Sequence, residues 1–162
     1  MTLREPPISR HRLLLVALLA VAAAVRVGVA LMGADSALVH DSTVYLRMGD
    51  AIVSEAPIAA FPNGYPLLIA VFRTIVDQAH IVAVLLGLNV VLGTAAVWMT
   101  YRLGRIVFPG RFLPGFLAAA CLALYPHQLR YTQLVMTEIP GMFFLLAGFW
   151  CWFESTVPER SD

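Results

Sequence analysis

The sequence predicts an all-α integral membrane protein with about four transmembrane helices and an outward loop that carries amphipathic interfacial helices. Three observations predict it. The chain is 60% hydrophobic and only 13% charged, whereas soluble domains carry about 25% charged residues. Its apolar residues gather in runs long enough to cross a bilayer. Its polar residues gather in one long interval, HDSTVYLRMGDAIVSEAPIAAFPNGYPLL, from His40 to Leu68. A net charge of +1 gives no basis for a nucleic-acid partner, so the lipid bilayer is the expected partner.

Taken in order, the chain reads as a single membrane domain, 1–162, with spans near 12–33, 80–103, 112–130 and 134–153 and an outward loop over 34–79. The first span follows a polar arm with Arg4, Arg10 and Arg12. It has the basic start and apolar middle of a signal peptide, but no A-x-A site closes it before Asp35. It reads as an uncleaved helix. Arg26 lies about two-thirds of the way across it, where a charge costs on the order of 2.5–3.5 kcal/mol at the helix centre. It either snorkels toward the outer headgroups or meets an acidic loop residue or a lipid phosphate.

In the loop, Asp41 is placed to cap a helix starting at Ser42. Val44, Tyr45, Met48, Ile52 and Val53 then share one side, with Arg47, Asp50 and Ser54 on the other. Pro57 is expected to end this helix, and Pro62-Asn63-Gly64 to form a turn. Tyr65 to Val76 is apolar around Arg73 and too short for a span, so it reads as interfacial or re-entrant. The second span, Ile81 to Met99, carries Asn89, which suits an interhelical hydrogen bond. Tyr101 to Arg111 reads as a basic turn broken by Pro109-Gly110. The third span meets Pro126, and the fourth is expected over Leu134 to Phe153 with Glu138 near one end.

Four spans put both termini on one side. Arg4, Arg10, Arg12, Arg102, Arg105, Arg111 and Arg160 fall there, and Arg47, Arg73 and Arg130 on the other. The positive-inside rule makes the first side cytoplasmic, in a multi-pass protein of the plasma or inner membrane. Asp35, Asp41, Asp50, Glu55, Asp77 and Glu138 collect on the outer side.

On that side Asp41 and Glu138 are the catalytic candidates. Each sits where a span meets the surface, and partial desolvation makes a carboxylate a better base. Helix capping is the structural alternative for both, Glu138 because Thr137-Glu138-Ile139-Pro140 is a helix-start pattern. Arg26, Arg47 and Arg130 are candidate contacts to a lipid phosphate. All eleven basic residues are Arg, a skew that a GC-rich coding bias explains as simply as phosphate binding. His40, His80 and His127 face outward without metal-ligand spacing, so no metal site is assigned, although a divalent cation stays open. Cys121 and Cys151 lie in apolar runs and form no evident disulfide or zinc pair. No P-loop, dinucleotide fingerprint or G-x-S-x-G motif is present.

The order of these features resembles the N-terminal part of the polytopic membrane glycosyltransferases of the C-type fold. That family includes the protein O-mannosyltransferases, the aminoarabinose-lipid A transferases and bacterial relatives. The resemblance rests on Arg26 near the outer end of the first span and on Asp41 and Tyr45 in the loop. It continues with Met48 to Ala51, the PNGYPLL element of Pro62 to Leu68, the basic Tyr101 to Arg111 turn, Pro126, and Thr137-Glu138. It implies a partial C-type fold and transfer of a sugar from a polyprenyl-phosphate donor to an acceptor on the outer face, usually with inversion. It implies Asp41 as general base, Glu138 as second outward acid and Arg130 as a phosphate contact. Tyr65, inside the matched element, joins Arg26, Arg47 and Arg130 as a candidate substrate contact. The chain departs from the family where Ser42, rather than a second acid, follows Asp41, and in having about four spans. A truncated gene product, a fragment, or one part of a split enzyme that works with a second membrane subunit is therefore expected. The alternative is a non-catalytic four-span scaffold or accessory subunit.

Overall fold

The computed structural model describes residues 10–55, 62 and 64–156, apart from the side chain of His40. Arg4, Pro57, Asn63 and Arg160 lie outside the described residues. Among those described, the structure is all helical. It comprises Arg10–Met32 (α1), His40–Val53 (α2), Gly64–Arg73 (α3), Ile81–Val107 (α4), Phe112–Ala123 (α5), Pro126–Thr132 (α6) and Glu138–Thr156 (α7), with a short 3-10 turn at Ala34–Ser36.

Helices α1 and α4 are long and apolar enough to cross a membrane, and a third span results if α5 and α6, bent by 52° at their junction, count as one. At 19 residues α7 is long enough as well. Glu138 and Glu154 near its two ends dilute its apolar character. The 27 residues of α4 extend about 40 Å. It is the central helix, and α1, α5 and α7 all pack against it. Small residues permit the closest crossings. A Cβ on Gly115 would stand 2.9 Å from the Tyr101 carbonyl oxygen, so α5 lies directly on the backbone of α4.

Two expected boundaries move. The stretch read as a basic turn is helical as far as Val107, and the turn is confined to Phe108–Arg111, where Gly110 has φ +75°. Only glycine adopts that backbone at no steric cost. The fourth helix begins at Glu138 rather than Leu134, because Leu134–Thr137 forms a connector. Asn89, fully buried on α4, holds that connector: its Nδ2 donates to the Leu134 carbonyl at 2.8 Å. The Val135 N–H donates to the Ala37 carbonyl at 3.1 Å, which ties the connector to the segment after α1.

Pro126 explains the break between α5 and α6. It has no N–H to offer the carbonyl four residues back, at Leu122, and it takes the first position of α6. The carbonyls left at the end of α5 are met by Arg26 of α1. Its Nη1 donates to the Ala123 and Ala22 carbonyls, both at 3.2 Å, and its Nη2 to the Leu122 carbonyl at 3.4 Å. The cation also lies at the negative end of the α5 dipole. Gly93 makes room for it, since a Cβ there would stand 2.7 Å from Arg26 Nε. The side chain is 1% exposed, so it neither snorkels to the surface nor meets a loop acid.

The two ends of the bundle differ in charge. Arg10, Arg12, Arg102, Arg105 and Arg111 gather where α1 and α5 begin and α4 ends. The opposite end carries α2, α3 and the start of α7, with Asp35, Asp41, Asp50, Asp77 and Glu138.

Candidate functional site

Helix α2 begins two residues earlier than expected, at His40, with Val39 as N-cap. The Val39 N–H donates to Ser42 Oγ at 3.2 Å, so the serine closes the first turn. Asp41 therefore does not cap this helix. It lies inside the first turn, where a carboxylate is stabilised by the positive end of the dipole. Its side chain is exposed and has no hydrogen bond or ion pair among the described residues.

The amphipathic reading of α2 holds in outline. Ser42, Tyr45, Met48 and Ala51 are buried, and Arg47, Asp50 and Ser54 are exposed. Val53 is exposed rather than on the buried side. The helix ends at Val53, with Glu55 in the left-handed region at φ 58°, so it stops before Pro57. Helix α3 packs on α2, with Ile69 against Gly49, where a Cβ would stand 2.6 Å from the Ile69 side chain. Gly64, expected in a turn, is the first residue of α3.

This packing brings Tyr45 of α2 and Tyr65 of α3 edge to face, with ring centroids 5.4 Å apart and planes at 88°. Both rings join a buried cluster with Ile69, Leu85 and Val135. The Tyr65 hydroxyl is buried and has no hydrogen-bond partner among the described residues. Burial pushes its phenol well above the usual value, and the nearby Glu138 carboxylate, then Tyr45, push it further the same way. Tyr65 is thus a neutral O–H donor at any physiological pH. Oε2 of Glu138, in the first turn of α7, is likewise buried and without a donor. The two orphans are complementary, one a donor without an acceptor and the other an acceptor without a donor.

The remaining candidates lie elsewhere. Arg47 is exposed on α2 and Arg130 on α6, and Arg26 is engaged at the α5–α6 break. The structure groups Tyr65 and Glu138, sets Asp41 one turn before Tyr45 on the same helix, and separates Arg26 from them. Among the described residues no cluster of three or more His, Cys, Asp or Glu could hold a metal ion. One pairing has no precursor in the sequence reading. Arg73 at the end of α3 grips Asp50 of α2, with Nη2 donating to Oδ2 at 3.2 Å and Nε 2.7 Å from Oδ1, off the hydrogen-bond direction. Asp50 lies in the polar part of the loop and Arg73 in an apolar stretch, 23 positions apart, and the packing of α3 on α2 makes them meet.

An apolar groove runs between α1 and α4. The part nearer the carboxylate-rich end, about 440 Å³, is lined by Ala30, Ala34, Ala83 and Gly87, and the part nearer the arginine-rich end, about 540 Å³, by Ala23, Thr94 and Trp98. Val90 lines both, and Ala30 also belongs to the cluster around Tyr45 and Tyr65. No family model, curated protein or solved structure matches the chain.

Proposed function

We propose that the chain is a membrane glycosyltransferase-like protein, acting at its carboxylate-rich end on a sugar carried by a polyprenyl phosphate. The observation that carries this reading is the pair of complementary orphans, the Tyr65 hydroxyl and the Glu138 carboxylate oxygen. A hydroxyl group both accepts and donates hydrogen bonds, so hydroxyls can meet either orphan. Sugars offer several such groups. The α1–α4 groove supports the reading, because its apolar lining suits a long isoprenoid chain.

In this mechanism Asp41, without a partner among the described residues, takes the proton from the acceptor hydroxyl. The acceptor oxygen attacks the anomeric carbon, the bond from that carbon to the phosphate oxygen breaks, and polyprenyl phosphate leaves with the electron pair. Tyr65 and Glu138 hold sugar hydroxyls, and Arg47 and Arg130 are the exposed cations available to the phosphate. Arg26, engaged by backbone carbonyls, positions the α5–α6 bend instead. The reading takes α7 as a fourth span and places the arginine-rich end in the cytoplasm, following the positive-inside rule.

The test is consumption of a labelled polyprenyl-phosphate sugar by membranes that contain the chain, with release of polyprenyl phosphate. Loss of a general base costs about 10²–10⁴ in rate. Asp41→Asn is expected to lower turnover by that factor with unchanged helicity. Equal turnover in wild type and Asp41→Asn would remove Asp41 as the base. No donor consumption by wild-type membranes, with or without other membrane proteins of the source cell, would remove the transferase reading.

A further inference from the structure

We infer that the arginine-rich end holds the phosphate of an anionic phospholipid where α1, α4 and α5 meet. The junction is built on aromatic rings. His11 of α1 stacks on Phe112 of α5, with centroids 4.4 Å apart and planes at 15°. Phe112 meets Tyr101 of α4 at 5.9 Å. The Tyr101 hydroxyl accepts a hydrogen bond from Arg105 Nη1 at 3.4 Å. The rings fix the three helix ends to one another, and each brings arginines with it. Arg10 and Arg12 flank His11, Arg111 precedes Phe112, and Arg105 lies one turn beyond Tyr101.

These four cations have no carboxylate partner among the described residues. Arg105 Nε is buried and makes no hydrogen bond. The one described acid at this end, Glu154, is already engaged. It accepts from Trp150 Nε1 at 2.9 Å and pairs with Arg102 at 3.6 Å. Arg102 is itself held between Trp98 and Trp150, 5.5 Å from each ring centroid. Among the described residues the junction therefore offers guanidinium donors and, apart from the Tyr101 hydroxyl that Arg105 uses, no free side-chain acceptor, in contrast to the mixed inventory around Tyr65. An anion completes it, and guanidinium forks match phosphate oxygens in pairs.

The location selects the source of that phosphate. Both membrane-crossing helices, α1 and α4, have an end at this junction. Arginines at the end of a span lie at the headgroup level, where clusters of four or more attract anionic lipid. Trp98 and Trp150 beside the junction are residues that favour the same interfacial layer.

The experiment uses the full chain in nanodiscs of phosphatidylcholine doped with phosphatidylglycerol. Lipid retained after detergent extraction is measured by native mass spectrometry. All three tryptophans, Trp98, Trp150 and Trp152, lie in the halves of α4 and α7 nearer this end, so quenching by brominated phosphatidylglycerol reports on it in the intact disc. Phosphatidylglycerol should be retained over phosphatidylcholine. The preference should fall about fivefold for each of Arg105→Gln and Arg111→Gln, and return in the corresponding Lys variants, which keep the charge. Arg111 lies in an exposed turn, so Arg111→Gln alone carries the test if Arg105→Gln fails to fold. No preference in the wild type, or an undiminished one in Arg111→Gln, overturns the inference. Displacement of the lipid by millimolar inorganic phosphate would make this a soluble-anion site and overturn it as well.

Discussion

The two ends of the bundle are built from the same materials, apolar helix ends with a few charged and aromatic side chains, yet they leave different groups unsatisfied. At the carboxylate-rich end a buried donor, the Tyr65 hydroxyl, lies near a buried acceptor, Glu138 Oε2. At the arginine-rich end the unpaired charged groups among the described residues are cationic donors, and the single described carboxylate is taken by Arg102 and Trp150. The difference teaches what each end can bind. A mixed inventory suits a neutral polyol, whereas a donor-only inventory suits a phosphate. Aromatic rings organise both ends, Tyr45 against Tyr65 at one and His11, Phe112 and Tyr101 at the other. The rings set the geometry, and the unpartnered polar atoms set the ligand class.

The contrast breaks first at Asp41, where the proposed base predicts the largest effect of any substitution. Removing an orphan should do something different from removing a base. An unsatisfied buried polar group costs about 1–3 kcal/mol, so Tyr65→Phe and Glu138→Leu, which remove the polar atom, should leave the fold as stable or slightly more stable. Each should nevertheless weaken donor binding, seen as a raised KM. A fall in thermal stability of either variant would show that the group has a partner in the folded protein. The pH dependence sharpens the same point. An unfolded tyrosine loses its proton near about pH 10, while the folded Tyr65 keeps it to higher pH. The folded state then binds one more proton than the unfolded chain. Its contribution is intact below about pH 10 and is lost as pH rises above that value. Tyr65→Phe should flatten this alkaline fall in stability, measured by chemical unfolding in detergent from pH 9 upward.

Between the two ends lies the Arg26 clamp. Its guanidinium donates to three backbone carbonyls across two helices, and hydrogen bonds to a charged group are worth about 1.5–3 kcal/mol each. Burying the charge offsets part of that. Arg26→Met should destabilise the chain by about 3 kcal/mol, read as a shift in the unfolding midpoint. Gly93→Val should produce a similar loss by filling the notch that Arg26 Nε occupies. The loss should be independent of salt, because the site is buried, whereas the lipid preference of the arginine-rich end should weaken as salt rises.

What the sequence revealed follows from the range of each interaction. Apolar runs located α1 and α4, because a run of the right length is a local signal. The third span, read as continuous over 112–130, instead breaks at Pro126 into α5 and α6, because the proline removes the backbone donor that a continuous helix needs. Asp41 was visible as a boundary acid, but the helix starts two residues before Ser42, and that shift moved it from a cap to the first turn. Arg26 shows the limit more sharply. Its partners at Ala123 and Leu122 lie 97 and 96 positions along the chain, and backbone carbonyls have no sequence signature. The pairing of Tyr65 with Glu138 was partly legible, since both fell on the outer side. Their lack of hydrogen-bond partners was not, because an orphan is defined by what fails to reach it.

The smallest predicted effect tests how α2 is held, and through it where Asp41 stands. Arg73 is nearly buried, at 9% side-chain exposure, while Asp50 is 47% exposed, so solvent screens their bond from one side. Exposed pairs of this kind contribute about 0.2–1 kcal/mol. A double-mutant cycle with Asp50→Asn and Arg73→Gln should therefore give a coupling of about 0.5 kcal/mol in unfolding, shrinking as salt is raised. Because Asp50 lies on the exposed side of α2 and Tyr45 on the buried side, the pair fixes the rotation of that helix about its axis. Asp50→Asn should thus lower transfer activity more than it lowers stability. A strong salt-independent coupling would mean that the pair is shielded from water, and α2 would then be anchored as rigidly as the Arg26 clamp holds the end of α5.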